Sequence, residues 1–183
     1  MLEKMIKTIT TKTAKGIRDR AILKFAFYTG GRRRNEVADA LFKNLTWSRG
    51  GYTYLLHRSK TDQSGLGSIK ILRKKHSHSL TSWIKIAGIK DGYLFRSIRR
   101  DIISKNPINP QVVNNIIKER IEMIGENPKY YSAHGLRSGF ITTCIRRSIG
   151  LENIMQLTGH KDIKTAYGYF EEGQIEKNPA TML

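Results

Sequence analysis

The stretch Ser132-Ala133-His134-Gly135-Leu136-Arg137 continues through Thr158-Gly159-His160 and closes on Tyr167-Gly168-Tyr169. Its side chains suit one kind of substrate. A guanidinium matches two phosphate oxygens at once. An imidazole exchanges protons near neutral pH, and a phenol is a nucleophile able to hold a covalent intermediate. Together they form a set for handling a phosphodiester, and the expectation is a DNA-processing enzyme.

Three short helices must position this set. Ser132 suits an N-cap, and the helix it starts runs to about Arg147, with Leu136, Phe140 and Cys144 as its buried stripe. His134 and Arg137 lie three apart and share a face near the N-terminal end, where free N–H groups favour an anion. A second helix, Leu151 to Thr158, buries Ile154, Met155 and Leu157 and stops at Gly159, so His160 emerges directly after the glycine. Asp162 caps the third, which carries both tyrosines. They differ by roughly 200° around a helix, so at most one faces His160 and Arg137.

The upstream chain supplies a scaffold that is mainly α with a small three-stranded antiparallel sheet. Residues 1–14 read as a linker or frayed start, 15–170 as one domain and 171–183 as a C-terminal tail. A helix from Lys15 buries Ile17, Ala21, Ile22, Phe25 and Ala26 and closes at Thr29-Gly30-Gly31. Arg32-Arg33-Arg34 then opens a helix expected over Arg33 to Lys43, with Glu36 in its first turn. Leu45–Trp47, Tyr52–His57 and Ser68–Leu72 read as strands, with Lys60 where the second runs into its turn. Ser77 to Gly88 reads as a helix around a core Trp83, and Arg96 to Pro110 as an irregular segment along a DNA backbone. Asn109-Pro110 starts a helix that ends at Gly125.

Composition narrows the partner. The 183 residues carry 33 Lys and Arg against 15 Asp and Glu, a net charge of +18 spread from Lys4 to Lys177. Such an excess in a folded domain favours a polyanion, nucleic acid first. No apolar run approaches the ~20 residues a spanning helix needs, so a membrane partner is not expected. A single cysteine, Cys144, leaves no internal disulfide and no thiolate zinc site, which suits a reducing cytoplasm. Paired carboxylates for a two-metal nuclease are missing from the pattern.

The order His-x-x-Arg at 134–137, Gly-His 23 residues past the Arg and Tyr nine residues past that His resembles the tyrosine recombinase, or phage integrase, family. Thr29-Gly30-Gly31 followed by arginine and Glu36 resembles the family's first-arginine motif, and Ser59-Lys60-Thr61 its catalytic lysine. The resemblance implies that Tyr169 is the nucleophile, that Arg33 and Arg137 hold the scissile phosphate, that His134 and His160 assist them, and that Lys60 protonates the leaving 5′ oxygen. Counting forward from Thr29-Gly30 selects Arg32 as the first arginine; counting three back from Glu36 selects Arg33, which is preferred because that spacing lies within one helical turn. Also implied are 15–170 as the family's catalytic domain, a tail 171–183 that packs on a neighbouring protomer, double-stranded DNA as partner, a 3′-phosphotyrosine intermediate, self-association on DNA and a prokaryotic, nucleoid-associated location. No cofactor, metal or small-molecule substrate is implied. Two alternatives remain: a type IB topoisomerase and a DNA-binding module without catalysis.

Overall fold

The computed structural model describes residues 1–57, 67–160 and 168. Helix α2 (Ala14–Tyr28) is its axis: Ala21, Ile22, Leu23, Phe25 and Ala26 are all buried, so the helix is covered on most of its faces. Thr13 caps it, its Oγ1 accepting from Gly16 N at 3.1 Å. Residues 1–14 are not the linker or frayed start that was expected. They include α1 (Leu2–Lys7), and Leu2, Met5, Ile6 and Ile9 are buried in the core. Those four recur at helical spacing, so α1 has an apolar face of its own.

After α2, Gly30 (φ +101°) and Gly31 (φ +67°) turn the chain. Both positions also demand a missing side chain. A Cβ on Gly30 would stand 2.5 Å from Leu157 O, and one on Gly31 2.5 Å from Arg137 Cα. Helix α3 (Arg34–Ala38) follows, far shorter than the expected Arg33–Lys43. Its continuation is diverted into backbone pairing: Leu94 N donates to Ala40 O at 2.7 Å, Phe42 N to Gly92 O at 2.8 Å, and Leu41 bridges Tyr93. A 3-10 turn at Phe42–Asn44 then leads into the sheet.

Strands β1 (Leu45–Ser48), β2 (Gly51–Leu56) and β3 (Ser68–Arg73) form the expected antiparallel sheet in the order β1-β2-β3. Tyr54 stands opposite Lys70 and Tyr52 opposite Leu72. In β3, Lys70 and Leu72 point inward while Ile69 and Ile71 are exposed, the alternation a one-sided sheet requires. Helix α4 (Lys74–Ile86) begins directly after β3 and packs along α2; its Trp83 is fully buried and donates Nε1–H to Leu94 O at 2.8 Å.

The segment Arg96 to Pro110, expected to be irregular, is a hairpin of β4 (Arg96–Arg99) and β5 (Ile102–Pro107). Arg100 (φ +50°) and Asp101 (φ +62°) make its two-residue turn. Arg96 is buried, donating to Asp91 O and Tyr93 O, so it is not spread along a surface. Helix α5 (Pro110–Met123) starts at the expected Asn109 cap, whose Oδ1 accepts from Gln111 N at 2.8 Å.

Helices α6 (Ala133–Arg146) and α7 (Leu151–Thr158) complete the described fold. Leu136, Phe140 and Cys144 are buried as the periodicity demands, and Phe140 meets Phe27 of α2 edge to face at 5.6 Å. In α7, Ile154 and Thr158 are buried; Met155 and Leu157 are only partly so. Among the described residues no helix is long and apolar enough to cross a membrane.

Candidate active site

The C-terminal end of α2, the N-terminal end of α6 and the C-terminal end of α7 converge. The two glycines let this happen: α7's last turn lies against Gly30, and α6 lies against Gly31 at Arg137 itself. Arg137 is buried, with hydrogen bonds of 3.4 Å from Nη1 to Gly31 O and from Nε to His160 Nε2. His160 is half-buried and emerges after Gly159, which adopts the left-handed conformation (φ +75°) that ends α7.

A hydrogen-bond chain assigns the His160 tautomer. Thr158 Oγ1 donates to Ile154 O at 2.8 Å, so that oxygen accepts from His160 Nδ1–H, also at 2.8 Å. Nε2 then carries the lone pair that receives Arg137 Nε–H. Burial lowers the imidazolium's pKa to about 4, and the positive charges of Arg137, Arg33, His134 and Arg32 reinforce that shift. At neutral pH His160 is therefore an uncharged acceptor.

Arg32 and Arg33 divide the work of the three-arginine run. Arg32 is 2% exposed, and its Nη2 donates to Gly30 O at 3.0 Å, Leu157 O at 2.8 Å and Thr158 O at 3.5 Å. Its Nη1 pairs with Glu36 at 3.5 Å, while Nε has no hydrogen-bond partner among the described residues. Burial, with Arg137 and Arg33 nearby, lowers its pKa to about 10 against the opposing pull of Glu36. Arg33 is half-buried and occupies the N-cap of α3, where Glu36 accepts its backbone N–H at 3.0 Å. It lines an open groove of about 1240 Å³, shared with Glu36, Tyr54, Leu56 and His57.

His134 stands exposed on the first turn of α6, where its charge acts on His160. The structure thus brings Arg33, His134, Arg137 and His160 into one neighbourhood. Lys60 and Tyr169, and with them the choice between Tyr167 and Tyr169, lie outside the described residues. His57, at the edge of the groove, is the last described residue before the segment that carries Lys60.

Two members of the cluster were not singled out from sequence. Lys70, 1% exposed, donates from Nζ to Leu157 O at 2.8 Å and Gln156 O at 3.2 Å. Its only sequence signal was an inward register position in a strand, where a lysine is unusual. Thr158 carried none beyond preceding the Gly-His pair.

The chain matches the phage integrase family over residues 1–174 and belongs to that family. It is 30% identical over 172 residues to an integrase/recombinase xerD homolog of Selenomonas ruminantium, a match covering 90% of this chain and 50% of that protein. It is 26% identical over 168 residues to tyrosine recombinase XerD of Neisseria meningitidis serogroup B, covering 92% and 55%. The chain therefore spans about half the length of the curated relatives it matches. Its fold is that of the XerH site-specific recombinase solved on palindromic difH substrate, with a TM-score of 0.78 at 20% identity over 100% of this chain and 51% of that one. XerA recombinase gives a TM-score of 0.74 at 21% identity, over 97% of this chain and 61% of that one.

Proposed function

We propose that this chain is the catalytic part of a site-specific DNA recombinase that breaks and rejoins strands through a 3′-phosphotyrosine. The observation that carries the reading is a concentration of cations around one carboxylate. Arg32, Lys70 and Arg137 are buried within electrostatic reach of one another, with Arg33 beside them and Glu36 as the opposing charge. Such a cluster is destabilised by its own repulsion and relieved by an anion.

In this reading Arg33 and Arg137 hold the non-bridging oxygens of the scissile phosphate. Neutral His160 orients Arg137 through Nε2, and His134 donates from the first turn of α6. The Tyr169 phenol gives up its proton to solvent as its oxygen attacks phosphorus, forming the phosphotyrosyl bond while the bond to the 5′ oxygen breaks, and Lys60 supplies the proton that this oxygen takes and regains one from solvent. A phenol with an intrinsic pKa of ~10 attacks poorly unless charge building on the phosphate is neutralised, and the guanidinium pair supplies that without a metal or nucleotide. The new bond stores the phosphodiester for religation.

The partner is double-stranded DNA, and copies of the chain associate on it, with the tail 171–183 packing on a neighbouring protomer. The catalytic unit is 15–170 with α1 packed against it, working in a prokaryotic cytoplasm at the nucleoid. The names of the relatives favour recombination over supercoil relaxation. The deciding experiment is covalent capture on a nicked suicide duplex: Tyr169→Phe abolishes the protein–DNA adduct and Tyr167→Phe preserves it. Capture that survives Tyr169→Phe overturns the assignment.

A further inference from the structure

An α-helix ends with four carbonyls that no helical N–H can reach, and each buried one needs a partner. In α7 these belong to Met155, Gln156, Leu157 and Thr158. Gly159 N takes Met155 O at 2.7 Å. The other three are taken by cations from elsewhere in the fold: Lys70 Nζ holds Gln156 O and Leu157 O, and Arg32 Nη2 holds Leu157 O and Thr158 O. Leu157 O thus has one donor from β3 and one from the α2–α3 corner. Positive charge at this end of a helix is also favoured by its dipole.

The placement has a reach beyond α7. Lys70 sits on the strand that follows, in sequence, the segment carrying Lys60, and Gly159 ends α7 directly before His160. We propose that Lys70 is a positioning residue, clasping the C-terminal carbonyls of α7 so that the β2–β3 hairpin and the His160 segment are held in one register for strand cleavage. The inference rests on the recombinase reading above. Lys70 touches no substrate; it acts through α7.

The groups facing its ammonium are Arg32 at the α2–α3 corner, Glu36 of α3, Arg137 of α6 and Tyr54 opposite it on β2. Burial, with Arg32 and Arg137, brings the Lys70 pKa down to about 8. Above that pH the amine still donates, but it loses the charge that makes such bonds roughly twice as strong.

The test uses the full chain on a suicide duplex, with Lys70→Met, which keeps the unbranched stem and removes the charge. With the duplex saturated by protein, so that any loss of affinity is removed from the readout, the single-turnover cleavage rate falls about 10- to 100-fold, the scale of a small misplacement. The ratio of wild-type to variant rates shrinks between pH 7 and pH 9.5. In the wild-type chain, the His160 ring resonances show an inflection near pH 8, far from that ring's own titration. This last measurement decides the matter even where Lys70→Met fails to fold. Wild-type cleavage by Lys70→Met, or a His160 signal flat between pH 7 and pH 9, overturns the inference. If the wild-type chain captures no DNA in the same assay, the recombinase reading itself has failed.

Discussion

Two neighbouring arginines, Arg32 and Arg33, differ in what their donors already hold. Arg32 spends its terminal nitrogens on Gly30, Leu157, Thr158 and Glu36 inside the protein. Arg33 opens onto the groove. Removing them therefore has different consequences. Arg32→Ala leaves Glu36 and two helix-end carbonyls short of a partner and lowers the unfolding free energy by about 3–5 kcal/mol in urea titrations. Arg33→Ala costs about 1 kcal/mol or less, while adduct formation falls about 100- to 1000-fold, as for loss of one donor to an oxyanion. If Arg33→Ala captures DNA normally and a folded Arg32→Ala does not, the two roles are reversed. The sequence preferred Arg33 on its spacing from Glu36; the structure adds that Arg32 is buried and Arg33 only half so, a difference the run of three arginines does not show.

At the scale of elements, the approach of α2 to α6 depends on a side chain that is not there. Gly31→Ala meets Arg137 Cα at 2.5 Å and must also hold φ at +67°. The left-handed conformation costs about 1–2 kcal/mol and the overpacking about 1–3 more. The variant unfolds at lower urea and loses DNA capture together. Gly135→Ala, whose added methyl meets nothing within 4 Å, keeps the fold and gains helix propensity. Elements with their own local signal were legible: Asn109-Pro110 opened α5 where expected, and Gly159 closed α7. Helix α3 ended early because Ala40 and Leu41 pair with residues more than fifty positions away, which no local periodicity records. The β4–β5 hairpin was hidden by a turn built from Arg100 and Asp101 in place of the usual glycine or asparagine. Helix α1 did have a signal, since Leu2, Met5, Ile6 and Ile9 fall on one face; the surrounding Lys and Thr residues masked it. At the candidate site, the positions of His134, Arg137 and His160 were readable because helix phase and a glycine stop place them, while their roles came from the resemblance alone; Lys70 stood out only through its bonds to α7.

For the whole molecule, a net charge of +18 on 183 residues makes salt act in opposite directions on the free and bound chain. Screening relieves self-repulsion, so the free chain melts at an equal or higher temperature as salt rises. On the function proposed above, binding to DNA releases counterions, so affinity falls by about 10³–10⁵ between roughly 50 and 200 mM salt for six to ten phosphate contacts. Anisotropy titrations and thermal melts over the same salt series check both signs; an affinity indifferent to salt is incompatible with phosphate contacts as the main attraction. The carbonyl of Leu157 adds a further property of the whole. Because it is shared by donors 87 and 125 positions upstream, the β2–β3 hairpin is no interchangeable cassette. A chimera that imports this hairpin from a relative with an apolar residue at position 70 inherits a helix end one cation short, and because the acceptor is a main-chain carbonyl, no exchange of the side chain at 157 restores the balance.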